Sequence, residues 1–576
     1  MGGARVLIIF LAAWTVISTE ANAQSMGDGH QGIVHFPISC TSAQDKFDRA
    51  IALLHNFFYP ETVKAFREII KDDPSCAMAY WGLAMSQRPN PLVPPFPVAN
   101  LKAGWDAVEE GKRARTQTPR EAEYLATMEV FYRDYDKIDQ RTRTHLYEQA
   151  MRRLHEHYPN DPEAAIFYAL ALNEAVDLSD RTFAKQLKAA AILHAEARKQ
   201  PNHPGIAHYL IHSYDFAPLA GNGVPSAQLY DKIAATSPHA LHMPSHTYSM
   251  LGMWEASIRA NRAAEAAATD YAAKNFPDAT DPSLPHLLDF LVFAYLQLAR
   301  DDEAKLIVDQ LPKLKKFASV RLTVDTALAA IPARFALERG RWDEAASLPI
   351  RESQYPAAQS ISFFARALGQ ARSGHPEAAR AEIGHLKEIE AKLVLSRDDY
   401  WAHQTRVQSM AAEAWATFGE GKRQQAIAEM RKAADLDDAS EKNVAMENKL
   451  VPMRALLGEL YLNAGMNKEA LIESLSSLKT SPNRYRTFAT AAIAARGDGS
   501  VTMERFCYKA LVRLAGAGDG GRTEVIEARA FLSASQRASG RCHISRSTLK
   551  ARRPGKPALP HRLSKAVTSV QWSSPF

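Results

Sequence analysis

At 576 residues the chain is too long for one compact core unless its fold is extended and repetitive. Apolar residues at 46% and charged residues at 23% are ordinary for a soluble globular protein. The formal net charge of +6 is concentrated at one end. Residues 530–576 carry nine Lys or Arg and no acid, which leaves −3 for residues 1–529 and argues against a body that binds nucleic acid.

The first element in chain order is a leader. Arg5 precedes the apolar run Val6 to Ile17, and Ala21-Asn22-Ala23 supplies small residues where a signal peptidase cuts. The run is shorter than the ~20 residues needed to span a bilayer, and no cysteine follows it to take a lipid anchor. Residues 1–23 are therefore read as a signal peptide and 24–42 as an N-terminal segment of an exported protein, periplasmic or extracellular. No later stretch is long and apolar enough to cross a membrane. Export makes the cysteines informative: Cys40 and Cys76 bracket the first helical unit and are expected to be bonded. Cys507 and Cys542, near the C-terminal end, carry little signal.

From Asp45 to Met85 the pattern is helical. Phe47, Ile51, Leu54 and Phe58 follow one helical period and Val63, Phe66, Ile69 and Ile70 another. Tyr59-Pro60 separates the two runs, and Pro74 ends the second before a helix that opens at Ala77. With Tyr59, Glu61, Phe66 and Pro74 in these places, and AYWGLA following, the segment resembles the tetratricopeptide repeat. The Pro-rich stretch at 87–97 interrupts the helices, and Leu92, Val93 and Phe96 make it an ordered loop rather than a solvated linker. Turns of the same type recur at Gly252-Met253-Trp254-Glu255, at Gly340-Arg341-Trp342-Asp343-Glu344-Ala345 and at Gly465-Met466-Asn467-Lys468-Glu469-Ala470. The order HNFFYPE, AMAYWGLAM, Pro-rich loop, HYLIHSYD, HALHMPSHTYSMLGMWE is similar to a group of exported bacterial tetratricopeptide proteins. That resemblance implies a fold and a compartment but no activity.

The most distinctive stretch is Pro204 to Glu255. Sliding it by 34 residues, the length of a tetratricopeptide unit, sets Pro204 on Pro238, His208 on His242, His212 on His246 and Tyr214 on Tyr248. Seven of the 19 histidines fall between His194 and His246. On a helix His208, His212 and Asp215 form one polar stripe at i, i+4 and i+7 beside an apolar stripe. By the repeat family's geometry, first helices line the concave groove, so this stripe and its counterpart His242 and His246, with His239 one turn earlier, face into it. Imidazoles from both helices can then meet, since packed axes lie ~8–10 Å apart.

Besides a purely structural role for the histidines, two uses of that convergence stay open. The histidines can hydrogen-bond a ligand or the tyrosines Tyr209, Tyr214 and Tyr248. Alternatively, His208, His212, His242 and His246 can hold Zn or Cu in a tetrahedral site, or three of them with Asp215 can leave a position for water. Met243, Met250 and Met253 would tilt such a site toward copper, although core filling is the simpler reading of them. Pro244 threatens the i, i+4 geometry of His242 and His246, and no His-Glu-x-x-His signature supplies a general base. His55 with Glu61 is a second pairing to consider, though a core or capping role suffices for it.

The sequence thus predicts an all-α, right-handed tetratricopeptide-type solenoid of about eight to ten helix pairs over residues 43–515. A basic, disordered tail is expected over 516–576. The function expected first is a secreted or periplasmic scaffold that binds a peptide, protein or small ligand in its groove at His208, His212, Asp215, His239, His242 and His246. The alternative is a metal-binding protein or metal-dependent hydrolase, and no catalytic residue is assigned.

Overall fold

A computed structural model describes residues 31–115, 118–314, 316–319, 321–442 and 449–544. The leader and residues 545–576 lie outside the described residues. Disorder was expected from 516 onward, but Thr523–Ile544 is a helix with Val525 and Ala528 buried in the core, so the ordered body runs past 516. Among those described there are 26 α-helices and no β-strand, only an isolated bridge between Thr280 and Phe317. Consecutive helices pack against each other along the chain as stacked hairpins, the tetratricopeptide-type solenoid expected. None of the described helices is long and apolar enough to cross a membrane.

The first hairpin shows how the sequence dictates this. Helix Tyr59–Asp72 buries Tyr59, Thr62, Phe66 and Ile69, one per turn, and starts with Pro60 in its first turn, where the missing N–H costs nothing. Helix Ala77–Ser86 then crosses it at Gly82, where a Cβ would fall 2.2 Å from the Phe66 ring, so only glycine admits that approach. The disulfide between Cys40 and Cys76 ties the segment before helix Gln44–His55 to the start of helix Ala77–Ser86.

Two large apolar cores result, one running from Val34 to Phe216 and the other from Trp254 to Ala528. The Pro-rich loop is ordered, with Leu92 and Phe96 buried and Val93 packed against both cores. Between the cores lies the histidine segment with two small clusters of its own. Remote parts of the chain close around it. The Tyr271 hydroxyl donates to Glu61 at 2.7 Å, the Glu441 N–H to the Leu178 carbonyl at 3.0 Å, and the Trp254 indole to the Asn483 carbonyl at 2.8 Å. The stack therefore curls back on itself, and the histidines end up in its interior.

Candidate metal centre

Three pieces of backbone deliver the imidazoles. Helix Pro204–Ser213 carries His208 and His212 one turn apart. Helices Pro238–His242 and Pro244–Met250 carry His239, His242 and His246. Met243 between them keeps helical dihedrals (φ −52°, ψ −37°), and Pro244 occupies the first turn of the second helix. Pro244 therefore breaks the hydrogen-bond ladder without turning His242 and His246 apart. Helix Leu284–Gln297 adds His286 from its first turn.

The rings gather as two triads. In the first, the Nε2 of His208 lies 3.1 Å from that of His239 and 3.0 Å from that of His212. In the second, the Nε2 atoms of His242 and His246 are 3.0 Å apart, and His286 completes a group whose ligand nitrogens all lie within 4.8 Å of one another. Nitrogens around a tetrahedral ion with ~2.0–2.1 Å bonds are about 3.3–3.4 Å apart, so at these three pairs an ion needs a spread of only about 0.3 Å. The triads also abut. Ring centroids of His212 and His246, and of His239 and His242, are 6.3 Å apart, as close as the 6.5 Å between His212 and His239 within one triad.

The protons on these rings are set from behind. The His208 Nδ1 donates to the His55 carbonyl at 2.6 Å. A carbonyl can only accept, so in the neutral ring the His208 Nε2 is a lone pair. The His246 Nδ1 donates to the Asp215 carboxylate at 2.9 Å, with the same result. The His242 Nδ1 donates to Asn261 Oδ1 at 2.7 Å. The Asn261 amide is oriented by its own donation to the Ser257 carbonyl at 2.8 Å, and the Ser245 hydroxyl stands beside both. In the first triad His212 or His239 can hand a proton to His208. In the second, two lone pairs face each other at 3.0 Å with no hydrogen between them.

Protonation is a poor remedy there. Burial, reinforced by the neighbouring imidazoles, holds His208, His212, His239 and His242 well below the usual histidine range. Burial also lowers His246, although the Asp215 carboxylate pulls the other way. Burial acts to raise Asp215, but Lys442, whose Nζ donates to Asp215 Oδ2 at 2.8 Å, and His246 outweigh it, so the carboxylate stays charged. Each triad has an aromatic wall. Phe57 lies 4.4 Å from His208 and 5.4 Å from His239, and Phe290 lies 4.9, 5.0 and 5.1 Å from His242, His246 and His286. Phe57 takes φ of +53°, the left-handed conformation that ends helix Gln44–His55, where the Phe58 N–H donates to the Leu53 carbonyl at 3.0 Å.

Behind the first triad, His55 and His203 both bond the buried Glu163, through Nε2 to Oε2 at 3.0 Å and Nε2 to Oε1 at 2.9 Å. Burial works to raise Glu163, but His203 and His55 bring it down to about 2. The Tyr209 hydroxyl bonds the other nitrogen of His55 at 2.8 Å. Protons within this group satisfy its His55 and Glu163 atoms, so it is a brace for the His55 backbone.

No protein-family model matches the chain, and no curated protein matches it. Among solved structures, the crystal structure of the APC/C hetero-tetramer Cut9-Hcn1 is similar at 11% identity over 84% of this chain and 94% of that one, with a TM-score of 0.27. A human IFIT1 dimer with m7Gppp-AAAA is similar at 10% identity over 76% and 90% (TM-score 0.34), and the P58(IPK) TPR domain at 10% over 80% and 98% (TM-score 0.22). Scores this low carry nothing beyond helical arrays of comparable length.

Several expectations need correction. The six residues assigned to an open groove are enclosed: His208, His212 and Asp215 are 0% exposed, His242 1% and His246 3%, with only His239 half-buried. A peptide lying in a groove would touch none of them but His239. His208, His212, His242 and His246 do not share one tetrahedral position but fall two to each triad, completed by His239 and His286. Asp215 is not beside a ligand position but behind His246. His55 pairs with Glu163, not Glu61, whose carboxylate takes Lys64 and Tyr271. Met243 is buried among Ala207, Ile211 and Tyr230, as core filling, and Met253 is on the surface. His286 escaped the sequence reading. Its one signal is Pro285-His286, which repeats Pro238-His239 at the start of a helix.

Proposed function

We propose that this is a metal-binding protein whose interior holds two adjacent ions, one on His208, His212 and His239, the other on His242, His246 and His286. The observation that carries the proposal is the pair of lone pairs at His242 and His246, 3.0 Å apart in a buried place and each fixed by a donor bond at Nδ1. Histidine ligands held through the other ring nitrogen by a carboxylate, an amide or a carbonyl are the usual arrangement at metal sites. Imidazole suits zinc, copper, iron and nickel, whereas magnesium and calcium take oxygen ligands. The apolar run near the N-terminus and the Cys40–Cys76 bond support export, so loading would occur in the periplasm or outside the cell.

Elemental analysis of the purified protein tests this directly. Two equivalents of a transition metal are expected, one after His242→Ala, and none after His208→Ala with His242→Ala. A protein that takes up no metal from excess zinc or copper, while folded, would refute it. The hairpin array also suits a scaffold. A cleft of about 530 Å³ opens between Arg49, Leu53, Phe58 and Glu61 on one side and Asp270, Tyr271 and Lys274 on the other, and none of the six histidines lines it. A partner peptide seated there would be lost on Tyr271→Ala with metal content unchanged.

A further inference from the structure

Resting on that reading, we infer that the two ions are copper and that the centre binds dioxygen between them. Three features point this way. First, the ligands are six neutral imidazoles, and the nearest buried carboxylate, Asp215, is already offset by Lys442 at 2.8 Å. Repulsion scales with the product of the charges, so two singly charged ions repel a quarter as strongly as two doubly charged ones in the same place. Two adjacent ions without anionic ligands therefore favour a metal that is stable as a 1+ ion, and among the metals that imidazole suits copper is the one with that state.

Second, the triads are close enough for a two-atom molecule to bridge the ions they would hold. Rings facing each other across the boundary are 6.3 Å apart, and His239 and His286 are the two half-buried ligands. Third, the walls are Phe57 and Phe290, with Tyr230 stacked on His208 at 5.1 Å. Such walls disfavour an ordered water nucleophile but admit a small neutral molecule without loss of hydrogen bonds. The chemistry balances within the pair. Each Cu(I) gives one electron, dioxygen accepts both and its O–O bond weakens to that of a bridging peroxide. The new 2− charge then lies between two ions that have just become 2+. No proton or outside reductant enters the step.

The test is to load the metal-free protein anaerobically with Cu(I) and titrate it with oxygen. Uptake of one O2 per two copper is expected, giving a product with a new near-ultraviolet absorption and no copper EPR signal, because the two Cu(II) spins pair. His286→Gln, checked for folding by circular dichroism, should bind one copper and show an isolated Cu(II) signal in air. Two bound copper ions without oxygen uptake, or with two independent EPR signals, would overturn the dioxygen inference and leave the dinuclear site standing. Preference for two zinc over two copper would do the same. Failure to bind a second ion of any metal would overturn both.

Discussion

Replacing Asp215 by Asn separates what that residue does for the fold from what it does for the metal. Its Oδ2 accepts from the His246 Nδ1 at 2.9 Å and from the Lys442 Nζ at 2.8 Å, with the carboxylate fully buried and the lysine 8% exposed. The amide oxygen of Asn can still accept one of these bonds, but the Lys442 charge loses its counter-ion. Breaking a buried pair from one side costs about 3–5 kcal/mol, and the retained bond puts the expectation near 3 kcal/mol, read as the urea midpoint of the metal-free protein. The His246 ring also loses the carboxylate that raises its basicity. Metal affinity at the second triad should fall ~10–100-fold, while the first triad, anchored on the His55 carbonyl, keeps its own. Adding Lys442→Met should recover most of the stability, since an apolar replacement of a buried pair is close to neutral, and none of the affinity. Competition with a chelator reads both sites. If Asp215→Asn weakens neither triad, or both equally, the proposed division of the six histidines is wrong.

Acid should destabilise the metal-free protein early. His208, His212, His239 and His242 are held well below 6.5 when folded and return to it when unfolded. The unfolded chain therefore binds more protons below pH 6.5, and stability falls as pH drops through that value until the folded pKa values are reached. At about 1.4 kcal/mol per group per pH unit the loss at about pH 5.5 is roughly 5 kcal/mol, and a melting temperature that stays flat from pH 7 to 5 would contradict it. Gly205→Ala puts a Cβ 2.4 Å from the His55 Nδ1. It should displace that ring, cost about 1–3 kcal/mol and reduce metal retention at the first triad more than at the second, as chelator titration would show. Cys76→Ser opens a loop spanning 36 residues and should lower stability by about 3–4 kcal/mol in chemical denaturation, with metal stoichiometry unchanged.

The hairpins were legible because proline and glycine punctuate them. Tyr59-Pro60, Pro74 and the recurring glycine turns mark where helices stop, and local sequence controls those events. The pairs His208/His212 and His242/His246 were legible because one helical turn and one repeat length separate them. His286 was not, because it stands alone in the apolar stretch LPHLLDFLVFAYLQ, where a single histidine reads as core. Enclosure of the site was hidden too. It depends on Phe57 and on Lys442 arriving from far along the chain, which no repeat period records. The proton settings were the least visible. One of them, on His208, comes from a backbone carbonyl 153 residues away, and every residue type has a carbonyl.

The six proposed ligands all lie between His208 and His286, yet their tautomers are imposed from outside that segment as well as within it. The His55 carbonyl reaches in from the N-terminal core and Lys442 from the C-terminal half. An excised middle fragment would keep every coordinating ring and lose two of the outside parts that tell them which nitrogen to offer. The centre is thus a property of the closed stack, and a substitution in either flank can silence it while leaving the histidines untouched.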